Sequence, residues 1–125
     1  MNIEDRSADD LVVLIVEDDS VLAFLLQIVM DENGISAEVY GTAEDALETV
    51  RKYDHLVRLV LTDVDLPGEM NGVALSEVLD VECPEIPVIL MSGRPLMEQN
   101  SYRMFLQKPI GMEKLIDAIK SSISR

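Results

Sequence analysis

The sequence has only one cysteine and one histidine, which excludes an internal disulfide and a metal site made of several cysteine or histidine ligands. Cys83 has no second cysteine in the chain with which to form a disulfide, which agrees with a reducing compartment. No histidine or second cysteine lies at metal-ligand spacing from it, so we interpret Cys83 as a structural residue. His55 lies in the polar segment KYDHLVR. This context predicts a solvated loop residue.

Basic residues are also few. The chain has 10 Lys and Arg residues against 24 Asp and Glu residues, which gives a net charge of −14. This charge repels nucleic acids and anionic membrane surfaces, so we predict no nucleic-acid partner and no membrane partner. The acidity is compatible with simple solubility or with a divalent-cation site among crowded carboxylates, and composition does not choose between them.

Long apolar runs and a secretion signal are missing as well. No stretch approaches the roughly 20 apolar residues that a membrane-spanning helix needs. The N-terminal segment MNIEDRSADD is acidic, whereas a secretory signal begins with basic residues followed by apolar ones. We therefore predict a cytoplasmic protein. The 125 residues fit a single domain, which we place at residues 11–125 after a loosely held acidic tail at residues 1–10.

Apolar β-rich runs alternate with helical patterns along the chain. Strands are predicted at residues 11–16, 36–40, 58–62, 88–91 and 105–107. Helices are predicted from Ser20, which can cap the first of them, from a capping box that starts at Thr42, after Gly72, and at residues 112–124. The segment between Gly93 and Met104 leaves room for a short or irregular helix only. This alternation predicts an α/β fold with a parallel sheet covered by helices on both sides.

Chemically active side chains follow several predicted strands. They are Glu17 and Asp18 after the first strand, Asp63 after the third, Ser92 and Gly93 after the fourth, and Lys108 after the fifth. In open parallel sheets, ligands collect beyond the carboxyl ends of the strands. Three crowded carboxylates repel one another unless a cation lies between them, and hard oxygen ligands suit Mg²⁺, or Mn²⁺ in its place. The pattern predicts a cation site at this edge.

The same groups fit the transfer of a phosphoryl group to a carboxylate. Lys108 can bind a phosphoryl oxygen as a point charge, while Ser92 Oγ and a backbone N–H add hydrogen bonds. Asp63 is then the candidate nucleophile, because phosphoryl transfer needs mainly positioning and charge neutralisation. Taken singly, each strand end has a simpler interpretation as a solvated turn or a helix cap. We favour the joint site because four strand ends carry compatible groups in the right order.

Four segments, LIVEDDS, LVLTDVDLPG, VILMSG and FLQKP, together resemble the signature segments of bacterial response-regulator receiver domains. The resemblance covers nearly the whole chain from about residue 11. It implies a flavodoxin-like (βα)5 three-layer sandwich with a five-stranded parallel sheet in the order 2-1-3-4-5. It also implies that Asp63 is the phosphoacceptor, and that Glu17, Asp18, Asp63 and the backbone carbonyl of Asp65 bind the metal. Asp19 then becomes a neighbour of the acidic pair with a capping role.

The resemblance also implies roles around the phosphoryl group. Ser92, Gly93 and Lys108 would bind it. Ser92 and Phe105 would be the switch residues, with Phe105 three positions before the lysine. Pro109 would follow a cis peptide bond.

Two positions that vary within the family hold opposite charges here. They are Asp65, two residues after Asp63, and Arg94, two residues after Ser92. We expect this pair to bridge over the site, restrict the attacking water and lengthen the life of the phosphoryl state.

The implied function is that of a phosphoacceptor response regulator in two-component phosphorelay signalling. A sensor histidine kinase or a histidine phosphotransfer protein would donate the phosphoryl group, and a downstream protein partner would read the shape change. The domain would catalyse only its own phosphorylation and dephosphorylation. We expect no output module after Arg125, and hence a stand-alone protein that is a monomer or a weak dimer.

Two alternatives stay open at this point. Asp63 and Asp65 also resemble the acid pair of haloacid-dehalogenase-like phosphatases. However, that family has its metal acids after the nucleophile, and 125 residues leave no room for a substrate cap. The other alternative is a receiver-like binding module that is never phosphorylated, which is disfavoured because no expected residue is missing.

Overall fold

Strands and helices alternate through the residues that the computed structural model describes, which are 3–7, 9–95 and 104–123. The strands are β1 (Val12–Val16), β2 (Ala37–Tyr40), β3 (Val57–Asp63), β4 (Val88–Ser92) and β5 (Met104–Gln107). The helices are α1 (Ser20–Glu32), α2 (Ala43–Tyr53), α3 (Gly72–Glu82) and α4 (Met112–Ile123), with short 3₁₀ helices at Ile3–Asp5 and Asp54–Leu56. The predicted α/β class is confirmed. The short helix predicted between Gly93 and Met104 falls mostly on residues 96–103, outside the described residues.

The five strands form one parallel sheet in the order β2-β1-β3-β4-β5, as predicted. The chain runs from β1 outward to β2 and then crosses back to β3, so the direction of winding reverses between β1 and β3. Val16 and Thr62 are paired at the carboxyl ends of these two strands. This reversal opens a crevice beyond the strand ends, which is where doubly wound sheets bind ligands.

Each face of the sheet has its own apolar core. On β1, Leu14 and Val16 belong to the core under α2 and α3, whereas Val13 and Ile15 belong to the core under α1 and α4. All residues of β1 are fully buried. A strand that is covered on both faces reads as a continuous apolar run, which is why the sequence located it so clearly.

Polar side chains define the starts of three helices. Asp19 caps α1, with its Oδ1 accepting the N–H groups of Val21 at 3.0 Å and Leu22 at 3.2 Å. Thr42 caps α2 and Asn71 caps α3 in the same way. Ser20 is the first helical residue and not the cap, so that part of the prediction was wrong, while the capping role expected for Asp19 is confirmed. Asp19 has the extended backbone that a cap requires.

The start of the chain contacts the domain at two described positions. Ile3 is buried in the core under α2 and α3, and Arg6 Nε lies 3.4 Å from Glu38 Oε2 of β2. The boundary between a tail at residues 1–10 and the domain stays a prediction. These contacts nevertheless tie the segment to the sheet.

The two residues singled out for their scarcity have ordinary environments. His55 is exposed, and Cys83 is a buried free thiol. Burial raises the pKa of the Cys83 thiol, and the nearby carboxylates of Glu85, Asp54 and Glu82 raise it further. The thiol is therefore protonated at neutral pH, in agreement with a structural role.

No helix within the described ranges is long and apolar enough to cross a membrane.

Gly72 allows the start of α3 to lie directly against the end of β3. A Cβ at Gly72 would overlap the carbonyl oxygen of Asp63 and lie 3.0 Å from the Cα of Val64. The Gly72 N–H also donates to the Val64 carbonyl at 2.9 Å. No side chain fits in this space, so glycine is required for close approach of the two backbones.

Replacing Gly72 with alanine is expected to lower the free energy of unfolding by about 1–3 kcal/mol, the usual cost of overpacking. The loss is expected even though alanine favours helix over glycine by about 1 kcal/mol. Urea denaturation followed by circular dichroism measures it. Gly111→Ala is the matched control, because its Cβ would meet nothing within 4 Å. Wild-type stability in Gly72→Ala would contradict this interpretation.

Candidate functional site

Three carboxylates meet at the carboxyl ends of β1 and β3. Glu17 and Asp18 directly follow β1, Asp63 is the last residue of β3, and one carboxylate oxygen from each lies within 4.8 Å of the others. Glu17 and Asp63 are buried, at 3% and 7% relative exposure, while Asp18 is exposed. The adjacency of β1 and β3 in the sheet brings these residues together, although Asp18 and Asp63 are 45 positions apart in the sequence.

Lys108 lies on the other side of the pocket. Its ammonium Nζ is 2.9 Å from Glu17 Oε1 and 3.3 Å from Asp63 Oδ2. The Lys108 N–H donates to the Ser92 carbonyl at 2.7 Å, and the peptide bond between Lys108 and Pro109 is cis. One half-buried cation therefore bridges two buried carboxylates.

Both oxygens of Glu17 have partners. Oε1 accepts from Lys108 Nζ, and Oε2 accepts the backbone N–H of Asp19 at 3.2 Å. Asp63 differs, because Oδ2 faces Lys108 while no hydrogen bond within the described part of the chain engages Oδ1. Asp63 therefore offers an oxygen for chemistry, whereas Glu17 is held in place by the protein.

Three carboxylates face one ammonium group in this pocket, and burial is the largest influence on the titration of Glu17. Burial raises the pKa of Glu17 above its ordinary value, and the charge of Asp63 raises it further. The hydrogen bonds from Lys108 and from the Asp19 backbone act in the opposite direction but do not outweigh burial. For Lys108, burial acts to lower the pKa, but the hydrogen bond and charge of Glu17, together with the charge of Asp63, raise it overall.

Ser92 is the last residue of β4, the strand next to β3, and it is almost fully buried, at 1% relative exposure. Its Oγ accepts the backbone N–H of Arg94 at 3.1 Å. The Arg94 side chain reaches back to the loop after β3, where Nη2 lies 2.5 Å from Asp65 Oδ1. Both members of this ion pair are exposed, and Gly93 between the two contacts is exposed as well.

Phe105 lies on β5, paired with Leu90 of β4, and is partly buried against the core under α2 and α3. It lies on the strand that leads to Lys108. A shift of Phe105 and a shift of Lys108 would therefore be coupled through three residues of backbone.

Two features of the site were not foreseen from the sequence. Thr62 Oγ1 donates to the carbonyl of Asp63 at 2.9 Å, and Gly72 lies against that same carbonyl. The sequence treated Thr62 as part of a strand and Gly72 as a loop-former. A glycine nine residues after an acidic strand end was the only signal for this contact, and it is a weak one.

The donor set fits a hard divalent cation. All three candidate side-chain ligands are carboxylates, and they lie close enough together to share one ion. The exposure of Asp18 leaves that side of the pocket open to water, which Mg²⁺ usually retains in its coordination shell.

The doubly wound fold and the acidic pocket at its switch point define the class of protein as an α/β domain that binds its ligand beyond the carboxyl ends of the strands. Residues 13–120 match the family model of the response regulator receiver domain. This match covers most of the chain, so the chain belongs to the receiver-domain family of bacterial two-component systems. Receiver domains are signalling domains, and the match decides against the phosphatase alternative.

Similar curated proteins are bacterial response regulators. The chain is 29% identical over 115 residues to a putative NtrX-like response regulator of Rickettsia bellii, covering 86% of this chain and 24% of that protein. It is 40% identical over 85 residues to the transcriptional regulatory protein AruR of Pseudomonas aeruginosa, covering 66% of this chain and 34% of AruR. It is 29% identical over 119 residues to the DNA-binding response regulator MtrA of Mycobacterium tuberculosis, covering 90% and 50%. The chain thus spans between a quarter and half of these relatives.

Solved structures show the same fold. A response regulator receiver protein from Sinorhizobium medicae matches with a TM-score of 0.85 at 20% identity, covering 94% of this chain and 98% of that one. A receiver domain protein from Clostridium thermocellum matches with a TM-score of 0.84 at 18% identity, covering 92% and 95%.

The raised pKa of Glu17 predicts that its charge costs stability in the absence of metal. The cost is absent below the ordinary pKa of 4.5 and is fully present above the raised value. Glu17→Gln should therefore be more stable than the wild type in EDTA, by a margin that is larger at pH 7 than at pH 5. Urea denaturation at both pH values measures the margin, with Glu48→Gln on the exposed face of α2 as control. A Gln variant less stable than the wild type at pH 7 would show that the ion pair with Lys108 outweighs burial.

Proposed function

We propose that this domain accepts a phosphoryl group on Asp63 from a phosphohistidine of a sensor histidine kinase or a histidine phosphotransfer protein. The observation that carries this proposal is the position of the Lys108 ammonium group between the carboxylates of Glu17 and Asp63. The second oxygen of Asp63, Oδ1, accepts no hydrogen bond within the described residues. Among the three acids, only Asp63 combines burial, contact with the lysine and an oxygen without a hydrogen bond in the described structure. An accessible carboxylate oxygen beside a cation suits attack on a phosphoryl group, where positioning and charge neutralisation supply most of the catalysis.

In this reaction, the Asp63 oxygen forms a P–O bond as the P–N bond of the donor breaks and the imidazole leaves. Lys108 lies where it can neutralise a phosphoryl oxygen without moving away from Asp63. When Mg²⁺ or Mn²⁺ is bound, it would supply neutralisation of the pocket and of the incoming phosphoryl oxygens. Glu17, Asp18, Asp63 and the backbone carbonyl of Asp65 would hold it.

The signal follows from the new charge. A phosphoryl group adds nearly two negative charges at neutral pH, plus strong hydrogen-bond acceptors. The Ser92 hydroxyl at the end of β4 would turn toward it, Gly93 would offer its backbone N–H, and Phe105 would follow inward along β5. Ser92 and Phe105 lie on the neighbouring strands β4 and β5, so a local charge at the strand ends can bias a two-state arrangement of the sheet edge.

The output is proposed to pass through a protein partner and not through nucleic acid or a membrane. The net charge of −14 opposes polyanions, and α1 carries an exposed apolar stripe suited to protein contact, formed by Val21, Phe24, Leu25 and Ile28. The DNA-binding and transcriptional activities in the names of MtrA and AruR belong to those longer proteins. A cytoplasmic location and a monomer or weak dimer complete the proposal.

Incubation with acetyl phosphate and Mg²⁺ is expected to label the protein with one phosphoryl group, measured by intact mass. Asp63→Asn should abolish the label because it removes the nucleophile while keeping the shape. Chelation of the metal should also suppress labelling. Asp45→Asn, an exposed acid of α2, should be labelled like the wild type. Unchanged labelling of Asp63→Asn would contradict the assignment of the nucleophile, and turnover of a phosphomonoester without a stable phosphoprotein would contradict the function.

The ion pair between Asp65 and Arg94 is proposed to slow the loss of the phosphoryl group, because it spans the loops on either side of the site. An exposed ion pair is worth at most about 1 kcal/mol, so Arg94→Ala should speed dephosphorylation by up to about fivefold. The decay of labelled protein measures this rate. Arg51→Ala is the control, since it breaks an exposed pair with Glu82. Equal decay rates for Arg94→Ala and the wild type would remove this pair from the account.

A further inference from the structure

Glu44, in the first turn of α2, holds the middle of the loop between β3 and α3. Its Oε2 accepts two consecutive backbone N–H groups of that loop, from Glu69 and from Met70, each at 3.0 Å. Consecutive N–H groups that converge on one oxygen form an anion-binding nest. The pKa of Glu44 is lowered, first by a hydrogen bond from its own backbone and then by those from Met70 and Glu69, so the carboxylate is charged at neutral pH.

Gly68 fits the same arrangement. Its φ of +92° lies in the left-handed region that favours glycine, and a Cβ there would lie 3.1 Å from both carboxylate oxygens of Glu44. Glycine at position 68 therefore serves two purposes: it allows the backbone turn, and it leaves space for the Glu44 carboxylate. These are two separate observations on one contact.

The loop held by Glu44 is short, and both of its ends meet the candidate site. It leaves β3 at Asp63, passes through Asp65, and returns at Gly72, which packs against the Asp63 carbonyl. Glu44 fixes the part of the loop that lies between these two anchors. Its side chain belongs to a different helix, so the contact ties α2 to the loop that follows the nucleophile.

We propose that Glu44 is a positioning residue for the metal and phosphoryl site, and this inference rests on the proposed function. A loop already ordered by Glu44 presents Asp65 to the cation without an entropic cost of ordering at the moment of binding. A purely structural staple would contribute to folding stability and leave cation affinity unchanged. The two roles therefore differ in what they do to Mg²⁺ binding by the folded protein.

The test is a calorimetric titration of folded protein with Mg²⁺, with backbone amide NMR spectra as a second readout. Glu44→Ala is expected to weaken Mg²⁺ binding about tenfold, the size of effect seen for outer-shell partners of metal sites. In the Glu44→Ala variant, the NMR signals of the Glu69 and Met70 amide protons should shift upfield relative to the wild type, because their hydrogen bonds to Glu44 are lost. Glu44→Gln keeps an acceptor oxygen and should recover part of the affinity. Asp45→Ala removes a carboxylate from the same helical turn and should bind like the wild type.

A Gly68→Ala variant separates positioning from loss of charge. Its methyl group would press on Glu44, so it should weaken binding in the wild-type background more than in a Glu44→Ala background. If Glu44→Ala binds Mg²⁺ as tightly as Asp45→Ala does, the positioning role is wrong while the proposed function stands. If the wild type shows no saturable Mg²⁺ binding, the proposed function fails and this inference fails with it.

Discussion

The crowding of the Glu17, Asp18 and Asp63 carboxylates into one partly buried pocket is the constraint on which the rest of this structure depends. Two of these carboxylates are buried, and one ammonium group from Lys108 is too little charge to balance all three. Burial is the main cause of the raised pKa of Glu17 and the charge of Asp63 adds to it, so the folded protein carries an electrostatic cost in its pocket. Such a cost is typical of sites that trade stability for function, because a bound cation would offset the excess of negative charge.

The fold supplies the rigidity that keeps these charges together. β1 and β3 are neighbours at the switch point, and apolar cores on both faces of the sheet fix their ends. The backbone then completes the site: Asp19 caps α1 beside the acidic pair, and Gly72 brings α3 against the last residue of β3. Residues far apart in sequence are thus held within hydrogen-bonding range, which loops alone would not achieve.

The sequence predicted what depends on local pattern and missed what depends on three-dimensional contact. The buried strands read as apolar runs, and the strand ends identified Glu17, Asp63 and Lys108 as neighbours because parallel strands end at one edge. The contact of Glu44 with the loop after β3 had no such signal, since an exposed glutamate in a first helical turn normally serves only the helix dipole. The sequence offered both Asp19 and Ser20 as caps of α1. The structure shows that Asp19 is the cap, because Asp19 has the extended backbone and Ser20 is already helical. The roles of the site residues remain predictions, because they depend on bound groups.

The central claim is that the acidic pocket is one specific cation site and not part of a diffuse negative surface. Paramagnetic broadening of amide NMR signals by Mn²⁺ tests it most directly, because the broadening falls steeply with distance from the ion. At low Mn²⁺ concentration, the account predicts broadening centred on residues 17–19 and 63–65, reversed by excess Mg²⁺ and lost in Asp18→Asn. Broadening spread evenly over the acidic residues of this chain, or unchanged by Asp18→Asn, would contradict it.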